Sequence, residues 1–109
     1  MRRTNAVDRG SGNVFADLGF ADAEEHLLKA QLVHRIEAIV RRRKLTQAQA
    51  AHVLGLSQPD VSRLFRGQFR KYSLERLLRL LTILDRDVEI VIKRKPKSRQ
   101  HGRLSIKAA

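Results

Sequence analysis

Residues 57–67 read SQPDVSRLFRG, and their polar side chains are of kinds that recognise other molecules by hydrogen bonding. Gln58 carries a donor beside an acceptor, Ser62 a hydroxyl that does both, and Arg63 and Arg66 planar forks of N–H donors with a permanent charge. On a helix these side chains fall opposite Val61, Leu64 and Phe65, whose i, i+3, i+4 spacing marks a buried side. Such a face suits a polar, anionic ligand. Two residues run against this reading, because Pro59 breaks helices and Asp60 is the only acid between Arg41 and Lys71. Both are accounted for if Ser57 is the N-cap. Pro59 then lies in the first turn, where its missing N–H has no intrahelical partner to lose. Asp60 lies at N3, where it completes a capping box with Ser57 and complements the helix dipole. The alternative for Asp60 is a contact to N4 of cytosine.

The charge of the whole chain agrees with an anionic ligand. Of 109 residues, 23 are basic and 11 acidic, a net charge of +12. Residues 38–71 hold eight bases and one acid, and residues 93–109 hold seven bases and no acid. Residues 8–37 carry the opposite balance, six acids to three bases. Two basic blocks and a separate acidic one point to a polyanionic partner, nucleic acid before an anionic membrane surface.

Other chemistries find little support. The chain has no cysteine, which excludes disulfides, thiolate metal sites and a thiol nucleophile and suits a reducing cytosol. His26, His34, His52 and His101 have no metal-ligand spacing, and neither a Gly-rich phosphate loop nor a GxSxG elbow occurs. No enzyme, metal or cofactor is implied. No apolar run approaches the roughly 20 residues that span a bilayer, and the N-terminus lacks the apolar stretch of a signal peptide. An RNA-binding protein would fit the charge, but aromatic residues make up only 5% and no RNP-type motif is present.

The polar face must be held by a small helical domain. Residues 1–12 read as disordered, and NVFADLGF (13–20) as a short apolar arm that docks on the core or binds a partner through Val14, Phe15, Leu18 and Phe20. Asp22 and Glu25 have capping-box spacing, which predicts a helix from Asp22 to about Arg43 with a stripe of Leu28, Leu32, Ile36 and Ile39, widened by Val33 and Val40. Thr46 and Gln49 form a second capping box, before a short helix that Gly55 ends. After residues 57–67 and a basic linker, QFRKY (68–72), Ser73 caps a further helix lined by Leu74, Leu77, Leu78, Leu81 and Leu84. DVEIVIK (87–93) alternates with period two and predicts one β-strand. A lone strand leaves its hydrogen bonds unmade, so it must pair with a symmetry mate, the 13–20 segment or another protein, and we favour the isologous dimer. Residues 94–109 read as a disordered basic tail.

Residues 46–67 form a unit: a capped helix, a glycine turn and a second capped helix. Ala51, small enough for a helix crossing, lies four residues before Gly55, and Val61 follows ten residues after Ala51 to wedge the second helix against the first. That is the helix-turn-helix pattern. The segment resembles the Cro/lambda-repressor (XRE) type, in which a Thr-Gln dipeptide (here Thr46-Gln47) opens the first helix and Gly-aliphatic (Gly55-Leu56) makes the turn. Residues 13–93 also resemble, in layout, the small HigA-like antitoxins. The resemblance implies a mainly α, four- to five-helix domain over 13–93 that binds a palindromic operator as a homodimer. It implies base readout by Gln58, Pro59, Ser62 and Arg63, with adenine suited to the amide and guanine to the guanidinium. It places phosphate contacts at Lys44, Gln47, Arg66, Arg70 and Lys71. The antitoxin likeness further implies a small basic toxin partner of the RelE/HigB kind, which the acidic N-terminal block would meet. A solitary XRE-family repressor would have no such partner.

Overall fold

The computed structural model describes the backbone of residues 14–108 and the side chains from Asp22 onward. Four helices follow one another: α1 (Val14–Arg42), α2 (Gln47–Leu54), α3 (Gln58–Phe65) and α4 (Leu74–Ile83). α1 packs on α4 and on α3, and α2 packs on α3 and α4.

α1 starts eight residues earlier than the Asp22–Glu25 pattern predicts. A capping box is a local signal, and it yields when the residues before it are helical too. No proline precedes Asp22 in this stretch, and Gly19 alone costs an interior helix about 1 kcal/mol. Glu25 instead pairs with Lys29 at 3.1 Å, and Glu37 with Arg41 at 2.8 Å. Both place the acid four residues N-terminal to the cation, the more favourable order. The Val14, Phe15, Leu18 and Phe20 side chains lie outside the described residues.

The remaining helix starts are set by hydroxyl caps. Thr46 Oγ1 accepts the Gln49 N–H at 3.1 Å while Gln49 Oε1 accepts the Thr46 N–H at 2.9 Å, a complete capping box. Ser57 and Ser73 accept the N–H groups of Asp60 and Arg76 at 3.1 and 3.0 Å. All four helices end alike: a residue at positive φ is followed by an N–H that bonds back five residues. The bonds are Leu45 to Val40, Leu56 to Ala51, Gln68 to Arg63 and Arg86 to Leu81, at 2.9–3.1 Å. Gly55 and Gly67 take the positive φ readily. Lys44 (φ 56°) and Asp85 (φ 65°) do so against their Cβ atoms.

The apolar stripes meet in one core. Ile36, Val61, Leu64, Leu77 and Leu84 have no exposed surface. Leu28, Leu32, Val33, Ile39 and Val40 from α1 and Leu80 and Leu81 from α4 are buried with them, as is Ala50 of α2. The linker 68–72 contributes more than its basic composition suggests, since Phe69 and Tyr72 are buried. Phe69 stacks on His26 at 4.9 Å between ring centres, and Lys29 Nζ donates to the Arg70 carbonyl at 3.3 Å. The linker is thereby pinned to α1. Arg43 does the same at the other end, donating to the Leu84 carbonyl at 2.7 Å and to Asp85 at 3.2 Å, so that it closes the C-terminus of α4.

The strand expected over 87–93 does not form, and the described residues contain no strand. Val88 packs partly against the core, whereas Ile90, Val91 and Ile92 are 75–94% exposed. Period-two alternation supplies a strand's side-chain pattern, but its ladder needs a second backbone, and among the described residues no segment pairs with it. The tail beyond 93 has no regular element, yet it is not loose throughout: the Leu104 N–H donates to Glu24 Oε2 at 3.1 Å and Ile106 packs on α1.

Two substitutions test this account. Ile36→Ala leaves a cavity at the meeting point of the helices and lowers unfolding stability by about 2–5 kcal/mol in urea titrations. Lys44→Gly removes the strain of positive φ and raises stability by about 0.5–1 kcal/mol in the same assay.

Candidate nucleic-acid interface

The interface is built from a short rigid frame. Gly55 at φ 70° lets α2 stop and the chain turn within three residues to Ser57. Nothing stands within 4 Å of where its Cβ would be, so the requirement is the backbone angle and not space. Val61 and Leu64 then press α3 against Ala50, Ala51 and Leu54, all buried. With that side consumed by packing, the other side of α3 is committed to solvent. Gln58, Pro59, Arg63 and Arg66 are exposed, and Ser62 is half-buried. The four side chains predicted to read bases therefore share one outward face.

Pro59 sits in the first turn of α3, as its position after Ser57 predicts. Asp60 differs. Its backbone N–H is capped by Ser57, but its carboxylate does not close the box; it accepts from Arg63 Nη2 at 2.7 Å. A guanidinium three residues on is a stronger donor than a backbone amide, so the acid turns outward along the helix. The Arg63 guanidinium, and next the Ser57 hydroxyl, hold the Asp60 carboxyl below the usual carboxylate range. The pair fixes the position of Arg63 on the exposed face.

The predicted phosphate contacts lie around this helix. Gln47 is the first residue of α2 and exposed, at the helix end whose free N–H groups favour anions. Lys44 stands on the turn before α2, Arg66 at the end of α3, and Arg70 and Lys71 on the linker, all exposed. The linker holds its place through Phe69 and through Tyr72, whose ring lies 4.7 Å from the Arg76 guanidinium. Burial pushes the Tyr72 hydroxyl up, which keeps it neutral. The neighbouring run Arg41–Arg43 divides by role: Arg41 pairs with Glu37 and Arg43 closes α4, while Arg42 is exposed.

Residues 14–93 match the helix-turn-helix domain family. A solved structure described as an XRE-family transcriptional regulator is 48% identical to the chain, covers 81% of it over 99% of its own length, and superposes with a TM-score of 0.77. The chain belongs to the XRE-type helix-turn-helix family. No curated protein matches it. As an XRE-family regulator it binds DNA, and α2 and α3 are its helix-turn-helix. Among the described residues no group of His, Asp and Glu is placed to hold a metal ion, and no helix is long and apolar enough to cross a membrane.

The roles of Lys29, His26, Phe69 and Tyr72 were not evident from the motif. Their signal in the sequence was the pair of aromatic residues inside QFRKY, a spacing too short to show a helical or strand period.

The Asp60–Arg63 pair has a measurable signature. Its depressed carboxyl means that the pair is complete above the ordinary aspartate pKa and is lost as pH falls through the lower, folded value. Replacing Arg63 with alanine moves the Asp60 midpoint upward toward the ordinary range in a carbon-detected NMR titration. An unmoved midpoint would remove Arg63 as the cause.

Proposed function

We propose that the protein is an operator-binding repressor in which the outward face of α3 reads sequence. One observation carries this: Gln58, Pro59, Ser62 and Arg63 share a face that the burial of Val61 and Leu64 turns toward solvent. The amide of Gln58 matches N6 and N7 of adenine, and the guanidinium of Arg63 matches O6 and N7 of guanine. Pro59 lies against a thymine methyl, and Ser62 bonds a base or a phosphate. Lys44, Gln47, Arg66, Arg70 and Lys71 set the register on the backbone.

The operator is a palindrome read by a homodimer, with recognition helices about 34 Å apart. The exposed Ile90, Val91 and Ile92 support a dimer in which residues 87–93 of two copies pair antiparallel. Such pairing supplies the ladder that one chain lacks. The acidic balance of residues 8–37 and the 57% exposed Leu27 on α1 favour a protein partner as well. We assign that partner to the small basic ribonuclease toxins of the RelE/HigB kind, held by α1 and the Val14, Phe15, Leu18 and Phe20 arm. The protein is then an antitoxin that represses its own operon. A toxin reading frame beside the gene, and co-purification with its product, support that assignment; their absence leaves a solitary repressor.

Operator binding is tested by gel shift against the protein's own promoter. Gln58→Ala and Arg63→Ala each lose about 1–3 kcal/mol of discrimination between operator and random DNA, with the helical circular-dichroism signal unchanged. Unaltered discrimination in both variants removes α3 as the reader. If six phosphates are neutralised per dimer, log K falls against log salt with a slope of about −5, and Arg70→Ala makes it shallower.

A further inference from the structure

Beside the core, an exposed strip of α1 carries a groove of about 460 Å³ lined by Ala30, Gln31, His34, Arg35 and Ala38 and, from the C-terminal tail, by Ile106. Two alanines two turns apart leave the hollow, and Ile106 of the C-terminal tail forms its other wall. Two residues earlier, the Leu104 N–H donates to Glu24 Oε2 at 3.1 Å, so the tail lies along α1 in an extended course. The tail reaches this place after a turn at 96–99, closed by the Arg99 N–H on the Pro96 carbonyl at 3.2 Å. Leu27, 57% exposed, stands at i−3 and i−7 from Ala30 and His34 and so extends the same strip beyond the tail.

We propose that this groove is a binding site for a short extended segment bearing cations and a branched aliphatic side chain, and that residues 103–107 (RLSIK) occupy it in cis. The tail shows the chemistry that the site takes: it is cationic at Arg103 and Lys107 and apolar at Leu104 and Ile106, and Glu24 meets its backbone on the N-terminal side of the groove. Its hold is light. Leu104 is 59% exposed, Ile106 is only half-buried, and one backbone hydrogen bond completes the contact. A segment of the same chemistry on a partner protein, able to reach Leu27 as well, displaces the tail. The tail thus decides when this side of α1 is open. The proposal stands apart from DNA readout, since none of its residues lies on α2 or α3.

The test uses the full chain and a synthetic peptide of residues 102–108 (GRLSIKA). Ile106→Asp expels the tail, and the amide resonances of Ala30, Gln31 and Ala38 shift relative to the native chain. Added peptide returns them toward native positions, and about tenfold more is needed to perturb the native chain if its tail is seated nine-tenths of the time. Ala38→Trp in the Ile106→Asp background fills the hollow and abolishes peptide binding, while operator binding reports that the domain is folded. Identical α1 resonances in the native and Ile106→Asp chains would show that the tail is not seated there. Peptide that fails to bind the Ile106→Asp chain, or that binds undiminished after Ala38→Trp, equally overturns the proposal.

Discussion

Everything that α3 presents to solvent depends on how it is pressed against α2. Val61, Leu64 and Ala50 have no exposed surface. Packed interiors tolerate little change in volume, so a larger residue at Ala50 or a smaller one at Val61 would shift the whole helix and not one side chain. The direction of Gln58, Ser62 and Arg63 is therefore a consequence of apolar packing. The residues suited to recognition carry hydrogen-bonding capacity, and the buried ones supply its aim. Base readout needs both, because a bidentate contact fails when its donor is misdirected.

Around this crossing the backbone is controlled by a single repeated device. Each helix stops at a residue of positive φ with a bond reaching back five residues. The glycines stand at the two ends of the recognition unit, after α2 and after α3, where the turn sets the interhelical geometry. Lysine and aspartate occupy the same role after α1 and α4, where Arg43 ties the two ends together through the Leu84 carbonyl and Asp85. Strain is thus placed where side-chain contacts compensate it.

Electrostatics follow a similar division. Three acids on α1 and α4 answer cations four residues on, in Glu25–Lys29, Glu37–Arg41 and Glu75–Arg79. The exposed Glu75–Arg79 pair contributes about 0.3–0.5 kcal/mol and does not hold the fold together, whereas Lys29 is buried and also ties down the linker. Asp60 is the exception in placement, an acid on the outward face of α3. Its carboxylate anchors Arg63, so it orders the guanidinium on the outward face of α3.

Much of this was legible from residues alone. Capping pairs, glycine stops and i, i+3, i+4 stripes act within one or two helical turns, so Thr46, Gly55, Ser57, Ser73 and the buried leucines announced three helices and the exposed face of the third. Where the reading failed, the cause lay outside the local pattern, in the preceding residues for Asp22 and in distant partners for the rest. Asp22 looked like a cap but lies inside a helix that had already begun at Val14. QFRKY looked like a solvated linker, yet Phe69 finds His26 and Lys29 finds the Arg70 carbonyl 41 residues away. Residues 87–93 alternate as a strand does but meet no second strand among the described residues, and the basic tail returns to α1 at Glu24, 80 residues from Leu104. The sequence by itself determined the local frame of the helix-turn-helix, because hydrogen bonds and periodicity there are short-range. Only the tertiary structure decided what the linker, the alternating segment and the tail do, because their partners are distant in the chain and no local pattern encodes them.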